Sequence, residues 1–371
     1  MESPNFKYIP GIDHLRGFAA LLIVLYHGLR VLGWDLRFHT PAPLAEPIVA
    51  NNPLSAIVVE GHTAVALFMV LSGLIFTLGA GQDAVRYGPF LRNRVLRIYP
   101  LFLFVMLVGA VFEPHHLTVT GVAQTLLCLG NLPGAVDLGP FSSMFWTVAI
   151  EFQFYVLFPL LHQLLLRHGP LALMVLLGLA AGARLILWML GVGAFWLSYF
   201  TLLGRIDQFL LGMTAGWFYA RRRWSRPRLR WGLAPAAVTV VVALFVFNRL
   251  GGWPANTWWN LAWPSAEGAM WAAVVPCYLA TAELLGPRVS RALTAFGVIS
   301  YSVYLLHFPI IHLFVARRWW LPLVEGPQRN SIANTLLIIL PVVTLVATAT
   351  YHLVERPFLR LRTRYLAASR A

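Results

Sequence analysis

Charge is what this sequence has least of. Only 11% of its 371 residues are Asp, Glu, Lys or Arg, and 59% are hydrophobic, whereas soluble globular chains carry about a quarter charged residues. That shortage excludes a soluble enzyme or binding domain and makes the chain an integral membrane protein, too long for one or two spans. Cysteine is almost absent. Cys128 and Cys277 each sit in an apolar run, so neither a disulfide framework nor a thiolate metal site is expected, and the histidines show no metal-ligand spacing. A Gly-rich phosphate loop, an internal repeat and a separate soluble domain are all missing. Lysine occurs once, as Lys7, and the other basic residues are arginine. Acids are outnumbered 14 to 28, for a net charge of +14. In a soluble protein that excess would suggest nucleic acid. In a chain this apolar it reads as basic loops on the cytoplasmic side, in contact with anionic lipid, and no nucleic-acid partner is expected.

A span needs about 20 apolar residues, and ten stretches qualify: 15–33, 61–80, 96–112, 144–166, 170–190, 195–218, 232–248, 265–285, 293–316 and 332–354. The first follows Lys7 like a secretory leader, but it is too long and lacks a small-residue cleavage site. An eleventh stretch, 119–133, is short and broken by Gly121, Gly130 and Pro133. If it does not cross, and the N-terminus is cytoplasmic, nineteen basic residues face inward and six outward. If it did cross, "RRRWSRPRLR" (221–230) would face out, against the positive-inside rule. The expectation is an all-α, polytopic bundle of about ten spans with a re-entrant or buried partial helix near 119–133. Both termini are then cytoplasmic, and a single domain covers 1–371, with a core over 15–357 and a basic tail over 358–371. The outer stretch "GGWPANTWWNLAWP" reads as an interfacial aromatic belt or as a lid over a carbohydrate-sized acceptor.

Ionisable groups inside a span are costly and usually face a cavity or a partner. In "LRGFAALLIVLYH" (15–27), Arg16 and His27 are eleven residues apart, a step that returns to within ~20° of the same face and spans about 16 Å. Asp13 lies three residues before Arg16 and can pair with it. Arg16 alone could be a helix-end residue snorkelling to the interface, while His27 lies too deep for that. In "FWTVAIEFQFY" (145–155), Thr147, Glu151 and Tyr155 form one polar stripe, which suits either a functional carboxylate or an ion pair between helices. In "GVISYSVYLLHFP" (297–309), Ser300, Tyr304 and His307 form another, ending in a histidine that could equally be a core residue bonded to a carbonyl. In "GRIDQFLLG" (204–212), Arg205 and Asp207 face apart and need partners on other helices. In "LRNRVLRIYP" (91–100), Arg94 and Arg97 stand one turn apart at the cytoplasmic mouth of the third span. Their planar forks match phosphate oxygens, or they are only a topology signal.

Together these segments resemble the membrane-bound acyltransferase family 3, polytopic bacterial enzymes that O-acylate surface polysaccharides and some natural products. The carriers are the Arg-x10-His of "LRGFAALLIVLYH", "FMVLSGLIF" (68–76), "RNRVLRIYP", "WTVAIEFQFYVLFPLL" (146–161), "GRIDQFLLG", "ISYSVYLLH" (299–307) and the closing "ERP" (355–357), in family order across residues 8–357. Where many members have a second acid beside the glutamate, this chain has Phe152. The resemblance implies a bacterial inner-membrane enzyme that takes an acyl group, commonly from acetyl-CoA in the cytoplasm, to a hydroxyl of a carbohydrate or glycolipid acceptor. It implies catalytic roles for His27, Glu151 and His307, and donor contacts from Arg16, Arg94 and Arg97. The cavity lining would include Asp13, Ser72, Trp146, Arg205, Asp207, Tyr301 and Tyr304, with no metal. General-base chemistry on a hydroxyl suits a histidine at membrane depth. Two other classes fit the composition. A proton-coupled transporter would use the buried ionisable groups, although repeat halves are lacking, and a scaffold of a polysaccharide assembly would not need the histidines. The acceptor, whether polysaccharide, lipid-linked unit or small metabolite, is not written in the sequence.

Overall fold

The computed structural model describes residues 8–40, 43, 46–114, 117–221 and 225–367. Lys7, Arg222, Arg223 and Arg370 of the charge count, and the end of the basic tail, lie outside them. In lipid every backbone amide must be satisfied within its own segment, which helices achieve. α1 (Pro10–His27) continues through a π-helical turn, Gly28–Leu32, into α2 (Gly33–Phe38). There follow α3 (Pro53–Val59), α4 (Thr63–Ala80), α5 (Tyr87–Phe112), α6 (Val119–Leu126), α7 (Phe145–His168), α8 (Pro170–Met189), α9 (Ala194–Phe200), α10 (Leu202–Ala220), α11 (Arg226–Arg249) and α12 (Trp258–Ala282). The chain closes with α13 (Pro287–Val298), α14 (Ser300–Ala316), α15 (Pro327–Asn334), α16 (Leu340–Thr350) and α17 (Arg356–Leu359), with π turns at Thr335–Ile339 and Tyr351–Glu355.

The boundaries are chemical. Pro10, Pro53, Pro170, Pro287 and Pro327 open helices, where the missing N–H costs nothing. Capping boxes at Asn52/Ser55 and Thr257/Asn260 start α3 and α12. Gly169, at φ +72°, separates α7 from α8.

Among the described residues seven helical segments are long and apolar enough to cross a membrane, or eight if the bent pair α13–α14, with its 59° break, is one span. The ten expected spans include two more long helices, α10 with 19 residues and α12 with 25. Buried Arg205, Asp207 and Gln208 lower the apolarity of the first, and Asn260 and Glu267 that of the second. The 119–133 stretch yields only α6, eight residues long. That is about 12 Å against a hydrocarbon core of ~30 Å. Its irregular continuation is pinned from α7, where Gln153 Nε2 donates to Cys128 O at 3.0 Å and to Asn131 Oδ1 at 2.8 Å.

α4 is the hub, with 83% of its apolar window buried against 17% for α8 and 22% for the α11 segment. Lipid therefore meets α8 and α11, while α4 carries its polar residues inside protein. Close approach makes that possible: a Cβ on Gly73 would sit 2.2 Å from Phe209 O, and one on Gly212 2.1 Å from Val70 O, so α4 and α10 touch backbone to backbone.

Candidate active site

A cavity of about 230 Å³ opens among α1, α4, α5, α7 and α14. The amphipathic spacing of α1 turns Asp13 and Arg16 into it, α5 contributes Arg94 and Arg97, α4 Ser72, α7 Thr147, Glu151 and Tyr155, and α14 Tyr301 and Tyr304. Arg16 lies 3.7 Å from Asp13. Arg97 pairs with Glu355 at 2.9 Å, and Glu355 also accepts from Ser302. The π turn Tyr351–Glu355 brings that glutamate in; such single-turn irregularities recur at functional sites. Arg94 forms no ion pair among the described residues. Its guanidinium carbon stands 4.8 Å from the Phe76 ring centre, 5.5 Å from Phe90 and 5.8 Å from Tyr155, and its Nε is buried without a hydrogen-bond partner. Glu151 accepts from Ser72 Oγ at 3.0 Å and from the Tyr155 hydroxyl. An acid on this stripe therefore faces hydroxyls and the cavity, and no arginine pairs with it within salt-bridge distance among the described residues.

Phe68, Thr147 and Tyr304 form part of the cavity wall, the hydroxyls of the last two 2.8 Å apart. One turn further along α14 lies His307, wholly buried, its ring 5.9 Å from Tyr304. Across from it stands His27: Nδ1 of His27 and Nε2 of His307 are 2.9 Å apart. His307 Nδ1 lies 3.1 Å from Val303 O, and since a carbonyl only accepts, that nitrogen carries a hydrogen. In neutral His307 the Nε2 is then an acceptor, His27 Nδ1–H donates to it, and His27 Nε2 is left with its lone pair. The two histidines, 280 residues apart in sequence, form one unit. Directly after His27 the π turn begins at Gly28, where a Cβ would meet Thr335 Oγ1 at 2.1 Å, so only glycine lets α1 pass the Thr335 turn at the level of the histidines.

Trp146, Arg205 and Asp207 stand elsewhere. Arg205 reaches Glu267 at 3.4 Å and lies under Tyr199, Trp253 and Trp146. Asp207 binds Arg184 at 2.6 Å. These partners are on other helices, as the two-residue spacing required, and none of the three residues lines this cavity. Sequence reasoning passed over Arg362, which does line it, because in the linear chain it is one more arginine of a basic tail. It also gave no role to Arg184, whose lone position in an apolar helix was the available signal, or to Tyr8, whose hydroxyl donates to Asp13 Oδ2 at 2.7 Å.

The fold and the cavity define a polytopic membrane protein in which a cluster of arginines lines a cavity and an imidazole pair, outside the lining, lies one turn of α14 beyond its Tyr304 wall. The chain belongs to the membrane-bound acyltransferase family 3: the family model described as an acyltransferase domain matches residues 9–352. Among curated proteins it is 28% identical to "Putative membrane-bound transacylase BcsY" of Komagataeibacter xylinus, covering 97% of this chain and 85% of the relative. It is 25% identical to "Acyltransferase MdmB" of Streptomyces mycarofaciens, covering 96% and 93%. It is also 25% identical to "Putative peptidoglycan O-acetyltransferase YrhL" of Bacillus subtilis, covering 96% of this chain and 56% of that protein. No solved structure matches the chain. The protein is thus a membrane acyltransferase, and the transporter and scaffold readings fall away.

Proposed function

We propose that this acyltransferase moves an acyl group, acetyl in the simplest case, from cytoplasmic acyl-CoA to a hydroxyl of a cell-surface polysaccharide or lipid-linked glycan. The observation that carries the reading is one cavity with arginines at its mouth and the His27–His307 pair just beyond its Tyr304 wall. Arg94, Arg97 and Arg16 take the phosphates of CoA, whose thin pantetheine arm spans the about 16 Å of helix rise between Arg16 and His27. Tyr304 and Thr147 close that path and must move aside for the thioester to reach the imidazole. His27 Nε2 takes the proton of the acceptor hydroxyl, and the oxygen attacks the thioester carbonyl. The C–S bond breaks as the new C–O bond is completed, and the imidazolium returns the proton to the departing thiolate. Glu151 and its hydroxyl partners support the charged groups of the path. The relative named for peptidoglycan O-acetylation supports a glycan acceptor.

The test is calorimetric titration of purified protein with acetyl-CoA. Arg94→Gln removes a cation that neutralises no acid, so the fold is spared and any loss belongs to the ligand. The expected loss is about 1.5–3 kcal/mol, the range for a charge-assisted hydrogen bond, or roughly 10- to 150-fold in Kd. Unchanged affinity would return Arg94 to the positive-inside signal. The orientation, inner membrane with both termini cytoplasmic, rests on the nineteen-to-six charge asymmetry. A cysteine placed at Ser225 should stay unlabelled by an impermeant maleimide added outside intact cells; labelling there would reverse the topology.

A further inference from the structure

Residues 360–367, which follow α17, form a strap. Asn93, wholly buried in α5, spends its amide on it: Nδ2 donates to Thr363 O at 2.7 Å and Oδ1 accepts from Thr363 N at 3.0 Å. Arg86 N donates to Tyr365 O at 2.9 Å, Ala367 N to Ala84 O at 3.0 Å, and the Arg86 guanidinium to Arg364 O at 2.6 Å. Tyr365 is 1% exposed, its ring edge-on to Phe90 at 5.2 Å. So many fixed contacts do not describe a solvated tail that only marks topology.

The strap delivers one side chain to the cavity. Arg362 Nε donates to Leu359 O at 3.0 Å, which fixes the guanidinium and leaves its two amino groups without a hydrogen bond to any of the described residues. Burial, then Arg94 and Arg97, push its pKa down to about 10, so it stays a cation at neutral pH while crowded by like charge. Of the four arginines that line the cavity, Arg16 faces Asp13 and Arg97 faces Glu355. Arg94 and Arg362 have no ion-pair partner among the described residues. Two uncompensated cations in one partly closed space favour an anion there. The Thr363–Asn93 contact sets Arg362 at the level of Asn93, one helical turn nearer the mouth than Arg97.

We propose that Arg362 is a further donor-binding residue, held by the 360–367 strap so that with Arg94 it takes the 3′-phosphate of the CoA nucleotide. The inference rests on the donor reading above. The 3′-phosphate lies at the end of CoA far from the thioester, and Arg362 lies at the end of the path far from His27. A doubly charged phosphate monoester also answers two free guanidinium groups better than the singly charged links of a pyrophosphate.

The experiment is calorimetry in lipid-free neutral detergent, titrating CoA and 3′-dephospho-CoA into wild type, Arg362→Gln, Arg362→Lys and Arg364→Gln. Arg364 is exposed on the same strap and does not line the cavity. Arg362→Gln should weaken CoA at least tenfold, leave dephospho-CoA within about twofold, and be partly rescued by Arg362→Lys, while Arg364→Gln changes neither. Equal CoA affinity in Arg362→Gln and wild type would overturn the proposal and leave the donor reading standing. Equal losses for both ligands would overturn the 3′-phosphate assignment. Absence of CoA binding to wild type would overturn the donor reading and this one with it. If anionic phosphatidylglycerol vesicles bind wild type, lose binding in Arg362→Gln and are not displaced by CoA, the phosphate is a lipid headgroup and the proposal fails.

Discussion

His27→Ala should abolish acyl transfer, a loss on the order of 10²–10⁴-fold, the usual contribution of a positioned general base, while the protein still inserts and extracts as a folded monodisperse species. The expectation follows from the hydrogen-bond chain. Val303 O can only accept, so His307 Nδ1 carries a hydrogen and His307 Nε2 receives the one on His27 Nδ1. The only lone pair left for substrate is on His27 Nε2. On the mechanism proposed here His307 acts through His27, as a positioning residue. His307→Ala should lower kcat by less than His27→Ala and leave the KM for the acyl donor unchanged, whereas a donor-binding role would move KM. Activity of His27→Ala within a few-fold of wild type would remove the residue from the mechanism. Glu151→Gln belongs in the same assay. It keeps shape and the hydrogen bonds from Ser72 and Tyr155, so a reduced rate at every pH would isolate the charge, and full activity would assign Glu151 to packing.

Helical period showed which residues share a face but not which helix that face meets. Arg16 and His27 were readable as one stripe on α1, and Ser300, Tyr304 and His307 as another on α14. That the two stripes end in contact at 2.9 Å is a tertiary fact, with 280 residues of chain between. The same limit holds for Arg205 and Asp207. Their spacing required partners on different helices, and the structure supplies Glu267 and Arg184, which moves both residues off the cavity and into the scaffold. Span counting fails where function or packing puts polar residues into a helix: α10 and α12 are long enough to cross, yet their buried polar groups take them below the apolarity of the others. Arg362 was invisible for a different reason. A tail of arginines after the last apolar helix satisfies the positive-inside rule by itself, and nothing in it says that Asn93, 270 positions earlier, will fold it back. The α4–α10 contact was also hidden, because Gly73 and Gly212 in apolar runs look like ordinary membrane glycines.

The largest expected effect on stability lies outside the cavity, at Arg184. α8 is nearly all lipid-facing, and its buried residues are Leu173, Ala180 and Arg184. Arg184 is 0% exposed and reaches α10 through its two amino groups: Asp207 Oδ2 at 2.6 Å, Gly204 O at 3.2 Å and Leu203 O at 3.3 Å, while its Nε has no hydrogen-bond partner among the described residues. Ser265 of α12 donates to the same carboxylate. Three helices therefore meet on one dry ion pair. Such a pair contributes little net stability over apolar residues of the same size, because two desolvation costs offset the attraction, but removing one partner strands the other charge at a cost of about 3–5 kcal/mol. Native proteins hold only about 5–15 kcal/mol in all. Arg184→Leu should accordingly give little folded protein on detergent extraction, and Asp207→Leu likewise. The double variant Arg184→Leu/Asp207→Leu should recover most of the yield and of the thermal midpoint, because no charge is left unpaired. A double variant no better than either single would mean that the bonds from Arg184 to the α10 carbonyls, and not the charge pair, hold α8 in place. Activity then separates scaffold from site. Neither residue lines the cavity, so the recovered double variant should transfer acyl groups at a rate close to wild type. A well-folded double variant without activity would place one of these two side chains on the acceptor's route to His27.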